Sequence, residues 1–296
     1  MSLINSPNTV LANSLDNAID LIRPRLEINK PKEVVFCVGA QINGLPHIGT
    51  YIVQAGSFLI AKVINEKFGI KTSVSFGALD NAPYDFKDSD DGYRFQKTYF
   101  HAMQPEKLSE LIQEYYRKYF DRLNTITGIP FTVEGYNETQ CLPSFRKCFL
   151  HTLQHKDEIQ WCVAPSSGKL RIRFPHPENL YAEKYAKRTE IVKIDDNEAT
   201  FRCVALDQSK YDVTVTATGD DGHYLDLNTI YRNIIKEAMC TEISDKLFVM
   251  VKGGDWCFST QPVDWALGVM GFSAIQVPMR IFTPQVVTPT GAKLSK

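Results

Sequence analysis

The sequence predicts an α/β fold, a parallel sheet with helical crossovers that is interrupted mid-chain by an α+β insertion. Three observations carry this reading. A short β-branched run, Glu33-Val-Val-Phe-Cys-Val-Gly39, leads through turn chemistry at Ala40-Gln-Ile-Asn-Gly-Leu-Pro46 into a helical apolar pattern. A second strand pattern from Thr72 to Phe76 then closes a strand–helix–strand unit, whose parallel strands require a right-handed crossover. After an interval of shorter runs the same texture returns, with strand patterns at Asp212–Ala217 and Leu247–Val251 flanking a helix from Asp226 to Met239.

Taken in order, a leading helix is expected from Ser14 to Leu26. Leu15, Ala18, Ile19, Leu21 and Ile22 recur at helical spacing, with Asn13 or Ser14 as cap and Pro24 near the end. The helix after the first loop runs from His47 or Ile48 to Phe68, packing Tyr51, Ala55, Phe58, Leu59 and Val63, and Gly69 stands where a C′ glycine belongs. Between Pro105 and Thr127 a further long helix follows from Leu108, Leu111, Ile112, Tyr115, Tyr119 and Leu123, and Phe131–Glu134 is the strand after it. From Cys141 to about Val215 the runs shorten and Pro165, Gly168, Pro175 and Pro177 punctuate them, which marks an insertion. The expected division is a helix in 1–32, the first half of a nucleotide-binding domain in 33–140, an insertion in 141–211 and the second half in 212–296.

Composition narrows the function classes. The 296 residues carry 33 Lys+Arg against 34 Asp+Glu, so no global basic field draws the chain onto polyanions. No run approaches the roughly 18–20 consecutive apolar residues of a membrane span, and the N-terminus lacks the layout of a signal peptide, so a cytoplasmic location without a membrane partner is expected. The seven cysteines form an odd set with no Cys-x-x-Cys pair, which argues against a disulfide framework and a paired-knuckle zinc site. Cys148, His151 and His155 share a helix face, but ordinary packing is the simpler account, and no resident metal is assigned.

Chemistry concentrates at Gly44-Leu-Pro-His-Ile-Gly-Thr50, a strand-to-helix junction where free N–H groups and the helix dipole favour a phosphate. An imidazole at His47 is placed to donate to phosphate oxygens, although helix capping alone is a sufficient reason for it. At the other end, Thr290-Gly-Ala-Lys-Leu-Ser-Lys296 presents two lysines beside a hydroxyl, suited to wrapping a triphosphate.

These two segments resemble the signatures of class I aminoacyl-tRNA synthetases, the HIGH box after the first strand (here His47-Ile-Gly-Thr50) and the KMSKS loop after the last (here Lys293-Leu-Ser-Lys296). Gly219-Asp-Asp-Gly-His223 looks like the family's Gly-x-Asp segment. In texture the chain is most similar to the class I lysyl type, through Thr50 and the acidic stretch Asp80-Asn-Ala-Pro-Tyr-Asp85. The resemblance implies a Rossmann-like HUP domain that activates an amino acid with ATP and Mg²⁺, with lysine as first substrate and tRNA as acceptor. It assigns catalysis to His47, Lys293 and Lys296. ATP falls to Gly44, Pro46, Gly49, Thr50, Gly219, Asp221, His223 and Ser295, and the amino acid to Gln41, Asp80 and Asp85. A free-standing synthetase-like ligase, a nucleotidylyltransferase with another acceptor, and a non-catalytic nucleotide or amino-acid sensor are the competing readings. Oligomeric state is left open.

Overall fold

The computed structural model describes residues 10–291, with side chains from Leu15 onward. Five strands, β1 (Glu33–Gln41), β2 (Lys71–Leu79), β3 (Phe131–Gly135), β4 (Lys246–Gly253) and β5 (Met279–Thr283), form one sheet in the order β5-β4-β1-β2-β3. Every neighbouring pair is parallel. The chain winds outward from β1 on one side and from β4 on the other, so the order reverses between these two strands. In an open α/β sheet such a switch point leaves a crevice at the carboxyl ends, where ligands bind.

Both faces of β1 are covered, which is why its sequence is a continuous apolar run rather than an alternation. Val34, Phe36 and Val38 join a core with α1 (Val10–Asn29), α2 (Ile48–Phe68) and the helical run that follows β2. Val35 and Cys37 face the other way, where Met250 and Cys240 pack. α2 is long and apolar enough by composition to cross a membrane, yet Phe58, Ile60, Ala61, Val63 and Ile64 pack into the core beneath the sheet. Its end follows the expected chemistry: Gly69 takes φ 67° and its N–H reaches Asn65 O.

The helix expected over Pro105–Thr127 is present as Pro105–Ile112, a π-helical turn Gln113–Arg117 and Lys118–Thr127. The wider turn inserts what a uniform spacing does not reveal, and Tyr116 within it donates from its hydroxyl to Gln41 O at 3.0 Å, bracing the end of β1. The acidic stretch after Asp80 forms a hairpin, Pro83–Asp88 with Arg94–Thr98, joined by Ala182–Glu183 as a third strand. Five residues, Ser89–Tyr93, connect its strands, with Gly92 N–H donating to Ser89 O at 2.9 Å and Gly92 at φ 81°.

A second difference concerns Asp212–Ala217. That run does not rejoin the parallel sheet: Lys210–Thr216 pairs antiparallel with Glu198–Val204, which pairs with Glu190–Ile194. Val213 and Val215 are buried while their neighbours are less so, the pattern of a half-buried antiparallel strand. The expected boundary at 212 therefore falls inside the inserted meander, and the parallel sheet resumes only at Lys246. The insertion also contributes α3 (Pro143–Gln154). Helix α4 (Thr229–Thr241) is capped by Asn228, whose side chain accepts from Tyr231 N at 2.9 Å, and α5 (Gln261–Val269) joins the same core. Asp226, the expected start of that helix, lies instead in the two-residue strand Asp226–Leu227 against Ile172–Arg173.

Candidate active site

A cavity of about 580 Å³ opens at the carboxyl ends of the strands, at the switch point between β1 and β4. Gln41, Gly44, Pro46, His47, Gly49 and Thr50 all line it, so the loop singled out in the sequence, Ile48 aside, borders the cavity. Gly44 adopts φ 133°, a conformation that excludes a side chain. His47 is the N-cap of α2, and its Nδ1 accepts from Gly49 N–H at 3.1 Å. With Nδ1 committed as acceptor, the ring proton sits on Nε2, which becomes the donor. Gly49 gives the imidazole room: a Cβ there would stand 3.0 Å from His47 Cε1 and 3.1 Å from Nδ1, so the ring would have to shift.

One turn further along α2, Gln54 lines the same cavity although only 1% exposed, and neither its amide nitrogen nor its amide oxygen has a hydrogen-bond partner. An unpaired buried amide costs on the order of 1–3 kcal/mol, so such a group marks a surface that a polar ligand completes.

The opposite wall comes from the ends of β4 and β5. Gly253, Asp255, Trp256, Thr283 and Gln285 line it, and a Cβ on Gly254 would stand 3.1 Å from Thr283 O. Gly253 and Asp255 thus reach the cavity from the tip of a parallel strand. Beneath it, Glu237 is paired with Arg280 and lies 3.5 Å from Lys252 Nζ. Burial pushes the Glu237 carboxyl up and the Lys252 ammonium down, each opposed by the other's charge.

The third wall is α4, which presents Thr229, Arg232, Asn233, Lys236 and Glu237 to the cavity. Sequence reading passed over these residues. Their spacing of three and four matches an amphipathic helix, and only the identity of the charges sets them apart.

Several predicted residues lie elsewhere. Gly219, Asp221 and His223 follow the antiparallel meander, so they do not reach the carboxyl edge of the parallel sheet. There Asp221 Oδ2 accepts from Thr216 N at 2.8 Å and lies 3.6 Å from Nη1 of the fully buried Arg146, which also donates to His223 O at 2.6 Å. Gly219, at φ 75°, leaves only 2.1 Å between a Cβ and Cys141 O. This is a knot of structure between α3 and the meander. Asp85 sits on the exposed hairpin and accepts from the Tyr181 hydroxyl, outside the cavity. Cys148 donates to Glu242 Oε1 at 3.7 Å, and no group of three His, Cys, Asp or Glu side chains suited to a metal occurs among the described residues. Lys293, Ser295 and Lys296 lie outside the described residues.

Asp80 is also away from the cavity lining. It is 1% exposed just past β2 and accepts from the Tyr224 hydroxyl at 2.7 Å and from Asn137 N at 3.0 Å. Burial pushes its carboxyl up to about 6. Its neighbour across Tyr224, His101, is pushed down to about 4 by burial, with its ring 4.6 Å from the Tyr224 ring.

The two shifts act oppositely on stability. Raising pH from 3.8 to 6 ionises Asp80 in the unfolded chain first, which lowers stability. Raising pH from 4 to 6.5 removes a proton that only the unfolded chain holds at His101, which raises it. The native protein is expected to show little net slope from this pair. Asp80→Asn leaves the histidine alone, so urea-unfolding stability should climb with pH across 4 to 6.5, by up to about 3 kcal/mol. A variant profile as flat as the native one refutes the assignment.

The chain matches no protein-family profile and no curated protein. Among solved structures it is similar to a Campylobacter jejuni protein provisionally named arginyl-tRNA synthetase, at 10% identity and a TM-score of 0.38. That likeness covers 97% of this chain and 63% of the other, so the chain spans less than two thirds of that protein's length.

Proposed function

We propose that the cavity activates an amino acid with ATP, forming an aminoacyl-adenylate. A carboxylate oxygen of the amino acid bonds to the α-phosphorus while the bond from that phosphorus to the bridging oxygen breaks, and pyrophosphate leaves with the electron pair. The reaction asks for alignment and charge stabilisation rather than a protein nucleophile. The observation that carries the reading is the start of α2: a helix N-terminus, a close-approach glycine and a histidine with a directed Nε2 donor, all opening onto the crevice at the switch point.

The residues fit the nucleotide. Gly44 admits phosphates to the backbone, Gly49 makes room for the imidazole, His47 donates to the oxygens where charge develops, and Gln54 supplies a buried amide in need of partners. Mg²⁺ arrives on the triphosphate, and Lys293 and Lys296, by their resemblance to the second signature, neutralise the leaving pyrophosphate. Transfer to a tRNA 3′ end is the second step of this proposal. The preference for lysine loses its footing, because neither Asp80 nor Asp85 faces the cavity.

The test is ATP–pyrophosphate exchange with each standard amino acid, in the native chain and in Gly49→Ala. Alanine favours the helix by up to about 1 kcal/mol and weakening the His47 cap costs about as much, so the variant should keep the native stability to within about 1 kcal/mol. The added methyl displaces the imidazole, so exchange should fall at least tenfold. Exchange that survives undiminished in Gly49→Ala, or none with any amino acid in the native chain, overturns the proposal.

A further inference from the structure

The wall made by α4 carries a charge pattern that the activation reading does not use. Arg232 is 4% exposed, its guanidinium lies 5.5 Å over the Tyr136 ring, and Nη1 donates to Asn81 Oδ1 at 2.9 Å. Asn81 is held in turn by Asp226, but that carboxylate is taken by a two-point contact with Arg173, at 2.7 and 2.8 Å. Among the described residues no carboxylate lies within ion-pairing distance of Arg232. Lys236, one turn along the same face, has no ion pair there either. Arg232 and Lys236 are therefore two cations of the cavity lining without a direct ion pair; the buried Arg232 is held by Asn81 and Tyr136 and feels Asp226 and Asp80 only through space. A buried guanidinium with no direct ion pair can still gain from an anion brought into contact by the ligand.

The triphosphate is not the natural source of that anion. Its binding features, the α2 N-terminus and His47, lie on the α2 side of the sheet, whereas α4 covers the opposite face against Cys37 and Met250. On the α4 side the cavity also holds Glu134, at the end of β3, whose charge and that of Lys236 both act on Cys37. With Glu237 engaged by Arg280 and Lys252, the Glu134 carboxylate at the end of β3 and the two α4 cations match an ammonium and a second acidic group on one small molecule.

We infer that the amino acid taken by this cavity has an anionic side chain, held by Arg232 and Lys236, with Glu134 receiving its ammonium. This rests on the activation reading for the cavity's occupant. It makes Arg232 and Lys236 specificity determinants and excludes a cationic side chain, which would be set against two like charges.

Calorimetric titration tests it without catalysis, using two near-isosteric pairs, L-glutamate with L-glutamine and L-aspartate with L-asparagine, together with L-lysine and ATP. The native protein should bind one of the acids at least tenfold more tightly than its amide and than lysine. Because Arg232 is buried, Lys236→Gln is the primary variant. It should close the gap between acid and amide while ATP affinity stays within twofold. Equal affinity within both pairs, tighter binding of lysine, no saturable binding of either acid, or a loss of ATP affinity in Lys236→Gln would each overturn the inference. Acid binding without any pyrophosphate exchange would uphold it and overturn the activation reading alone, whereas exchange with only a neutral or cationic amino acid would do the reverse.

Discussion

Replacing His47 by alanine is expected to lower the rate of ATP–pyrophosphate exchange by about 10²–10³-fold, the usual cost of removing one donor aimed at developing charge, while ATP affinity changes by less than threefold. Two roles meet in this side chain. Its Nδ1 caps α2 through Gly49 N–H, and its Nε2 is the free donor on the cavity. Alanine removes both, and loss of the cap alone costs about 1 kcal/mol of stability. His47→Asn separates them, because asparagine is among the best N-caps yet carries no donor in the place of Nε2. The asparagine variant should therefore keep the native unfolding midpoint and still lose at least 100-fold in exchange. Should exchange instead recover in His47→Asn along with stability, the histidine is a cap and nothing more.

The legible parts of this fold are those whose cause is local. Glu33–Gly39 announces a strand covered on both faces, and Gly69 announces the end of α2, because each depends on neighbours a few positions away. The loop at His47 could be placed at a carboxyl edge for the same reason. What escaped reading depends on partners distant in sequence. The run at Asp212–Ala217 carries strand chemistry in either sheet, and only its pairing with Glu198–Val204 decides which. With it moved Gly219 and Asp221, whose composition suits a phosphate turn and equally suits the knot around Arg146. Asp255 opens a stretch with two tryptophans that suits a ligand wall and core packing alike; Trp256 lines the cavity and Trp265 is half exposed on α5. Arg232 and Lys236 were hidden by periodicity itself, since a helix with one apolar face has the same spacing whether its charges meet water or a ligand.

Asp226→Asn is expected to destabilise the protein by about 3–5 kcal/mol at neutral pH, the range found when one member of a buried ion pair is removed. Asp226 is fully buried and accepts from four donors: two on Arg173 and one each on Asn81 (3.1 Å) and Gln96 (3.0 Å). These donors come from the loop after β2, the hairpin strand Arg94–Thr98 and the strand Ile172–Arg173, so one carboxylate ties three separated segments to the start of α4. An amide cannot accept from all four and leaves the Arg173 guanidinium buried without its counter-charge. Replacing both members, Arg173→Met with Asp226→Asn, removes that uncompensated charge, so the double variant should be less destabilised than the sum of the singles by at least about 1 kcal/mol. The effect extends to the cavity, because Asn81 orients Arg232. In the fraction of Asp226→Asn that stays folded, acidic amino acids should bind several-fold more weakly while ATP affinity holds. Urea unfolding of the four proteins of the cycle reads the first expectation and calorimetric titration the second. Additive losses would mean that Asp226 and Arg173 act independently, and unchanged acid binding would mean that Arg232 is positioned by Tyr136 packing rather than by this network.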